Sequence, residues 1–205
     1  FDDVTPNSPY FDAANATKAA GIFNGKNDGK TFGALDTLTR EQMASVLVRA
    51  FDLQPKDVQV NLTDLDQVSE THRKSVEILY QNGITTGRAN GEFDPHAPVT
   101  RVQFVVFLSR AMKLTNSDKN LETNKVTFLD VTDNSFGKDE IYQLVEAGVI
   151  NGYPDGTFRP NQSINRGQAA NLFMRALQLE VSTTTHNFDD VTPNSPYFDA
   201  ANATK

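Results

Sequence analysis

Apolar residues return at three- and four-residue intervals in three separate stretches of the chain. Met43, Val46, Leu47, Ala50 and Phe51 form one stripe; Phe104, Phe107, Leu108, Ala111 and Met112 a second; Ala169, Leu172, Phe173, Ala176 and Leu177 a third. That spacing predicts three amphipathic helices meeting in a shared core. A second helix precedes two of them, with Val76, Leu79 and Tyr80 ahead of Gly83 and Ile141, Leu144 and Val145 ahead of Gly148. Glycine marks the C-terminal stop. In the first copy the corresponding stretch, with Ala14, Thr17 and Lys18, is alanine-rich and predicts a weak helix.

The stripes belong to a longer repeat. The unit runs from an aromatic-Asp opening (FDDV 1–4, LTDL 62–65, FLDV 128–131) through a glycine-ended helix and a Gly-rich turn to a Phe. An Arg-led helix follows: LTREQ 38–42, VTRVQ 99–103 and INRGQ 164–168. From the first Gly to the Arg the spacing is 19, 18 and 18 residues. The repeats are bounded at 1–53, 62–114 and 128–179, with polar linkers between them. Two helices in about 55 residues cannot bury their own apolar face, so the copies are expected to share one core. Residues 188–205 repeat residues 1–18 letter for letter, whereas the three full copies share only patterns; this partial copy is either recent or placed by design.

Each Arg-led helix opens on a capping pair, Thr39 with Gln42, Thr100 with Gln103 and Asn165 with Gln168. Arg40, Arg101 and Arg166 then stand at the positive end of the helix dipole, where a cation is disfavoured. An anion at the helix start reverses the sign, because free backbone N–H groups and the five-donor guanidinium would all point at it. The anion has two possible sources: a ligand carboxylate, or Asp3, Asp64, Asp130 and Asp190 of neighbouring copies in internal salt bridges. Spacing alone leaves both open. The Gly-rich turns, with Gly25, Gly87 and Gly152, permit close approach of a sugar or carboxylate. Phe32, Phe93 and Phe158, which close those turns, read as core plugs.

Composition narrows the partners. At 205 residues and 38% hydrophobic content the chain can bury a core, and without cysteine it has no disulfide, thiolate metal site or cysteine nucleophile. No apolar run approaches the roughly 18 residues of a membrane span, so membrane insertion is not expected. Nineteen Lys+Arg against 26 Asp+Glu give a net charge of −7, which argues against nucleic acid. Any anion must therefore be caught by a local constellation.

Together the motifs F-x-D-V, G-[IV]-x-x-G, D-G-x-F and [IL]-T-R, in order and three times over, resemble the S-layer homology domain, usually found as three tandem copies. The resemblance implies a mainly α fold with a pseudo-threefold arrangement of helix-loop-helix repeats, a central helix bundle and three projecting prongs. It further implies an extracellular place in the cell wall or S-layer. The partner it implies is secondary cell wall polysaccharide, held in inter-repeat grooves by its pyruvylated N-acetylmannosamine end. Pyruvate supplies the carboxylate that the arginines lack. Where the family pattern reads T-R-A-E, each copy here has Gln in place of Glu, at Gln42, Gln103 and Gln168. Asn165 and Gly167 also depart from it, and predict that the Arg166 groove binds least.

No catalytic, metal or cofactor constellation emerges. His72, His96 and His186 fall at unrelated positions, the loop 24–33 lacks the bidentate acid of a calcium loop, and no acid pair stands out. The expectation is a non-catalytic carbohydrate-binding anchor. Its alternative is a structural assembly or domain-swapping module whose arginines pair internally, with self-association through residues 188–205.

Overall fold

The computed structural model describes residues 1–26, 29–114 and 126–180. The linker stretch 115–125, Asn27 and Asp28, His186, and the duplicated segment 188–205 with Asp190 lie outside the described residues. The described residues form α1 (Phe11–Ala19), α2 (Arg40–Ala50), α3 (Glu70–Gln81), α4 (Arg101–Leu114), α5 (Lys138–Glu146) and α6 (Arg166–Leu177), and no strand. The fold is mainly α. The first helix of each repeat, α1, α3 and α5, is followed closely by Gly21, Gly83 and Gly148, whose φ values of 70°, 70° and 68° suit glycine and stop each helix.

Helices pair across repeats. α3 lies on α2, α5 lies on α4, and α1 lies on α6. Each repeat's first helix thus packs on the second helix of the repeat before it, and α1 closes the cycle on the third repeat. The weak alanine-rich α1 suits this place: Ala13, Ala14, Ala16 and Thr17 are all buried, and their small side chains let the helix sit close. One core joins the three repeats, and Phe173 sits at their junction, with ring centroids 6.1 Å from Phe23, 6.5 Å from Phe51 and 5.5 Å from Phe104. Phe32, Phe93 and Phe158 are fully buried.

At the centre the backbone makes a closed circuit. The Leu38 N–H donates to the Ile164 carbonyl (3.2 Å), the Ile164 N–H to Val99 (2.9 Å), and the Val99 N–H back to Leu38 (2.9 Å). All three residues are buried. Each stands immediately before a helix cap, so the circuit draws the starts of α2, α4 and α6 together. Isolated β-bridges pair Thr37 with Asn165, Thr39 with Pro98 and Thr100 with Ser163 around it.

This circuit should dominate stability. Ile164→Pro removes one donor and strands a buried carbonyl, and should cost about 3 kcal/mol or more, against roughly 1 kcal/mol for Ile164→Val. Urea unfolding of both variants checks this; equal losses would show that the circuit is dispensable.

Candidate functional site

The helix starts are fully capped. Gln42 N–H donates to Thr39 Oγ1 (3.4 Å) and Thr39 N–H to Gln42 Oε1 (3.2 Å); the Thr100–Gln103 pair repeats this at 3.3 and 3.2 Å, and Asn165–Gln168 at 2.8 and 3.1 Å. The next two donors go to the neighbouring repeat. Arg40 and Glu41 N–H bond Ala97 and Pro95 carbonyls, Arg101 and Val102 bond Gln162 and Pro160, and Arg166 and Gly167 bond Asp36 and Ala34, all within 2.8–3.1 Å. All four donors that a helix start leaves unpaired are therefore taken. The expectation of free N–H groups aimed at an anion is corrected by this geometry: carbonyls of the adjoining loop occupy them.

The guanidinium groups reach across the same boundary. Arg40 Nε donates to the Phe93 carbonyl (2.6 Å), Arg101 Nε to Phe158 (3.0 Å) and Arg166 Nε to Phe32 (2.8 Å). Each also lies 4.8–5.0 Å from the centroid of that same Phe ring. Contacts of this kind favour a cation when it is partly desolvated. The buried phenylalanines thus plug the core and carry arginine on one face.

The aspartates stand on the far side of those phenylalanines. Asp3 accepts the N–H groups of Phe32 and Gly33 (both 2.6 Å), Asp64 those of Phe93 and Asp94 (both 2.7 Å), and Asp130 those of Phe158 and Arg159 (both 2.7 Å). The residue after each Phe is left-handed, with φ 70° at Gly33 and 59° at Asp94 and Arg159. For the two non-glycines this conformation costs about 1 kcal/mol, which the two-pronged carboxylate offsets. Among the described residues no carboxylate forms a salt bridge with Arg40, Arg101 or Arg166. The ion pairs found among the described residues are Lys26–Asp36, Arg88–Asp94, Lys138–Asp133 and Arg159–Asp155, with His96 Nδ1 3.5 Å from Glu41 and charged only when protonated.

Burial therefore weighs on the three cations. It pushes the Arg40 guanidinium down to about 10, with Arg88 adding to the shift and Asp94 and Asp64 opposing it. Arg101 and Arg166 are shifted the same way by burial.

Two clefts show what this charge faces. The wider, about 710 Å³, is lined by Arg166 from the third repeat and by Asn24, Gly25, Lys26, Gln42 and Arg49 from the first, with His72 from the second. The narrower, about 260 Å³, is lined by Arg40, Gly87, Arg88, Gln103 and Arg110. A third, about 350 Å³, runs past Asp130, Gln103 and Asn161 without an arginine. Arg101 lines none of these three. Its guanidinium lies 5.0 Å from the Tyr153 ring centroid and donates to the Asn151 carbonyl (3.2 Å). Gly152 is pressed close against the Phe128 ring, leaving no room there for a Cβ. The Arg166 cleft, expected to be poorest, is the widest of the three. Gly167 does not loosen it, because the Tyr10 ring sits where a Cβ would project, 2.6 Å away.

Arg49 and Arg110 were missed by motif reading. Arg49 Nε donates to the Ile22 carbonyl (2.8 Å) and Arg110 Nη1 to Ile84 (2.9 Å). The signal was present: arginine recurs nine residues after each helix-start arginine, at 49, 110 and 175. Nine residues at about 100° each place the two on opposite helix faces, so α2 gives Arg40 to the narrow cleft and Arg49 to the wide one. Arg166 accordingly meets Arg49, and Arg40 meets Arg110. No helix among the described residues is long and apolar enough to cross a membrane, and no group of three or more His, Cys, Asp or Glu among them is placed to hold a metal.

The chain is thus a helical repeat protein with arginine gathered in two of its inter-repeat clefts, the wider of which also holds Asp36, paired with Lys26. It belongs to the S-layer homology domain family, which matches residues 1–44, 61–105 and 127–170. Among its relatives, the Surface-layer 125 kDa protein of Lysinibacillus sphaericus is 34% identical over 133 residues, covering 63% of this chain and 11% of that protein. An endoglucanase of Bacillus sp. (strain KSM-635) is 26% identical over 148 residues, covering 72% and 15%. The cellulosome-anchoring protein of Acetivibrio thermocellus is 32% identical over 94 residues, covering 45% and 20%. The chain corresponds to a fifth or less of the length of each of these three. The family is a non-catalytic anchor region that binds cell wall polymers, and its place is the cell surface, at the wall.

The aspartate clamp carries a pH signature. Burial raises the Asp3 carboxyl, but the Phe32 and Gly33 N–H groups outweigh it and hold the group below its ordinary 3.8. A depressed folded value means the stabilisation is fully present above 3.8 and is lost as pH falls through the lower folded value. Asp3→Asn should therefore flatten the fall in stability between about pH 4 and pH 2, measured by acid titration of urea unfolding. An unchanged slope would count against the clamp.

Proposed function

We propose that the arginine-lined clefts between successive repeats bind the negatively charged end of secondary cell wall polysaccharide, a pyruvylated N-acetylmannosamine, and so anchor an S-layer or other surface protein to the wall. In this reading the units 1–53, 62–114 and 128–179 act as one pseudo-threefold body. Helices α2, α4 and α6 are its central bundle, and the Gly-rich turns are its projecting prongs. Secretion to the wall goes with it.

The observation that carries the reading is the pairing of Arg166 with Arg49 in one open cleft: the cleft's one lining carboxylate, Asp36, is paired with Lys26, and neither arginine forms an ion pair among the described residues. Arg49 is itself shifted down, first by burial and then by repulsion from Arg166. Two like charges held in partial burial raise the free energy of the empty cleft. A bound carboxylate relieves that repulsion and accepts charge-assisted hydrogen bonds from planar donors. Gln42, standing where the family has Glu, adds no second negative charge beside Asp36. Lys26 and Asn24, at the first Gly-rich turn, line the same cleft and supply donors for the sugar.

Binding of the full chain to isolated wall polysaccharide, native and with pyruvate removed, tests the reading. Arg166→Gln and Arg49→Gln should each weaken binding at least ~10-fold, the value of one charge-assisted hydrogen bond, while thermal unfolding moves only a few degrees. Removing pyruvate should weaken the parent chain similarly and add little to either variant. Equal binding by parent and variants, or by both forms of the polysaccharide, would sink the reading.

A further inference from the structure

The seat of α1 on α6 is shaped for one sequence, and the chain carries that sequence twice. We propose that residues 188–205 exchange with residues 1–18 for this seat within a single chain. The inference does not rest on the anchoring function.

Its first support is topology. α3 lies on α2 and α5 on α4, so the segment that follows each second helix in sequence returns to pack on it. By that rule the occupant of α6 is the segment after it, yet α1 holds the seat. Residues 188–205 are the segment after α6. Eight residues separate Leu179 from Phe188, and eight separate Leu53 from Leu62, so the return path to α6 is as long as the one already used on α2.

The second support is a lock at the helix start. The residue capping each first helix meets the second position of the helix beneath it, and the three pairs differ. Glu41 accepts from the Ser69 N–H (2.9 Å) and Oγ (2.8 Å). Gly137 lies so close to Val102 that a Cβ would sit 2.7 Å from its Cγ2. Gly167 leaves space for the Tyr10 ring, which a Cβ would approach to 2.6 Å. Large meets small in two of the pairs, and a carboxylate meets two donors in the other. The duplicate places Tyr197 where Tyr10 stands, which fits Gly167 and is excluded by Glu41 and by Val102. It also repeats the buried face, Ala200, Ala201 and Thr204 for Ala13, Ala14 and Thr17, and it repeats Asp3 as Asp190. Identical side chains make identical contacts, so the two segments differ only in their tethers.

Thermal unfolding and sedimentation of the full chain test this with Ala14→Asp, Ala201→Asp and the double substitution. Ala14 is fully buried, so an aspartate there spoils the seat for whichever segment carries it. If the segments exchange, each single variant is rescued by the intact copy, and the double loses more than about 5 °C beyond the sum of the singles. A double no worse than that sum overturns the proposal. Ala14→Asp should also sediment as a monomer. A dimer would mean that the second copy seats in another chain, which overturns exchange within one chain.

Discussion

Three backbone hydrogen bonds, passed from Leu38 to Ile164 to Val99 and back, are the constraint from which the rest of the structure follows. Every residue in the circuit gives one bond and receives one, so loss of any member leaves two buried polar groups unpaired, at about 1–3 kcal/mol each. The circuit also fixes geometry. Since each member directly precedes a cap, three helix N-termini converge on one region, and the positive ends of three dipoles converge with them. Carbonyls at Ala34, Asp36, Pro95, Ala97, Pro160 and Gln162 answer that concentration of donors, each lent by a neighbouring repeat. No repeat can cap its own Arg-led helix completely, which gives a physical reason for the repeats to fold as partners.

Within that frame the arginines and aspartates act on the same phenylalanine from opposite sides. Asp64 holds the Phe93 N–H while Arg40 takes the Phe93 carbonyl, and the other two sets repeat the arrangement. The charges are joined through a peptide unit without touching. A direct salt bridge would have satisfied both charges internally. Instead each carboxylate is spent on backbone donors, and each guanidinium has its Nε on a carbonyl and a face on a ring, Arg101 reaching a second carbonyl through Nη2. The aspartates thus fix the turn that presents the carbonyl, and the carbonyl fixes the arginine.

The helices and the stripes that bury them were legible, because a 3.6-residue period and a glycine stop are local signals. So were the caps: Thr39–Gln42, Thr100–Gln103 and Asn165–Gln168 are read from four adjacent letters and form as such. What a single repeat could not reveal is the crossing between repeats. Capping letters say that a helix starts; they do not say that Pro95 and Ala97 carbonyls take the donors of Arg40 and Glu41. The misreading of the helix start as an open anion site came from this gap. Arg49 and Arg110 were hidden for a different reason, since they belong to no capping or turn motif and only their nine-residue spacing from Arg40 and Arg101 marks them.

The three boundaries are alike in backbone and unlike in side chains, and the difference concentrates on one position. After the first glycine of each Gly-rich turn stand Lys26, Arg88 and Tyr153. Lys26 faces the wide cleft with its head drawn to Asp36, so the Arg166–Arg49 pair stays open. Arg88 brings a third guanidinium into the narrow cleft, pairs with Asp94 and depresses Arg40 further. Tyr153 instead lays its ring beside Arg101 and Arg159, at 5.0 and 3.9 Å, and supplies from within the chain the negative face that a ligand would otherwise bring. An aromatic ring and an anion compete for the same cation. Repetition of the scaffold therefore repeats the arginine's setting at three boundaries, and under the proposed function the residue after one glycine sets whether that arginine is left for a partner or faced by a ring of the chain itself.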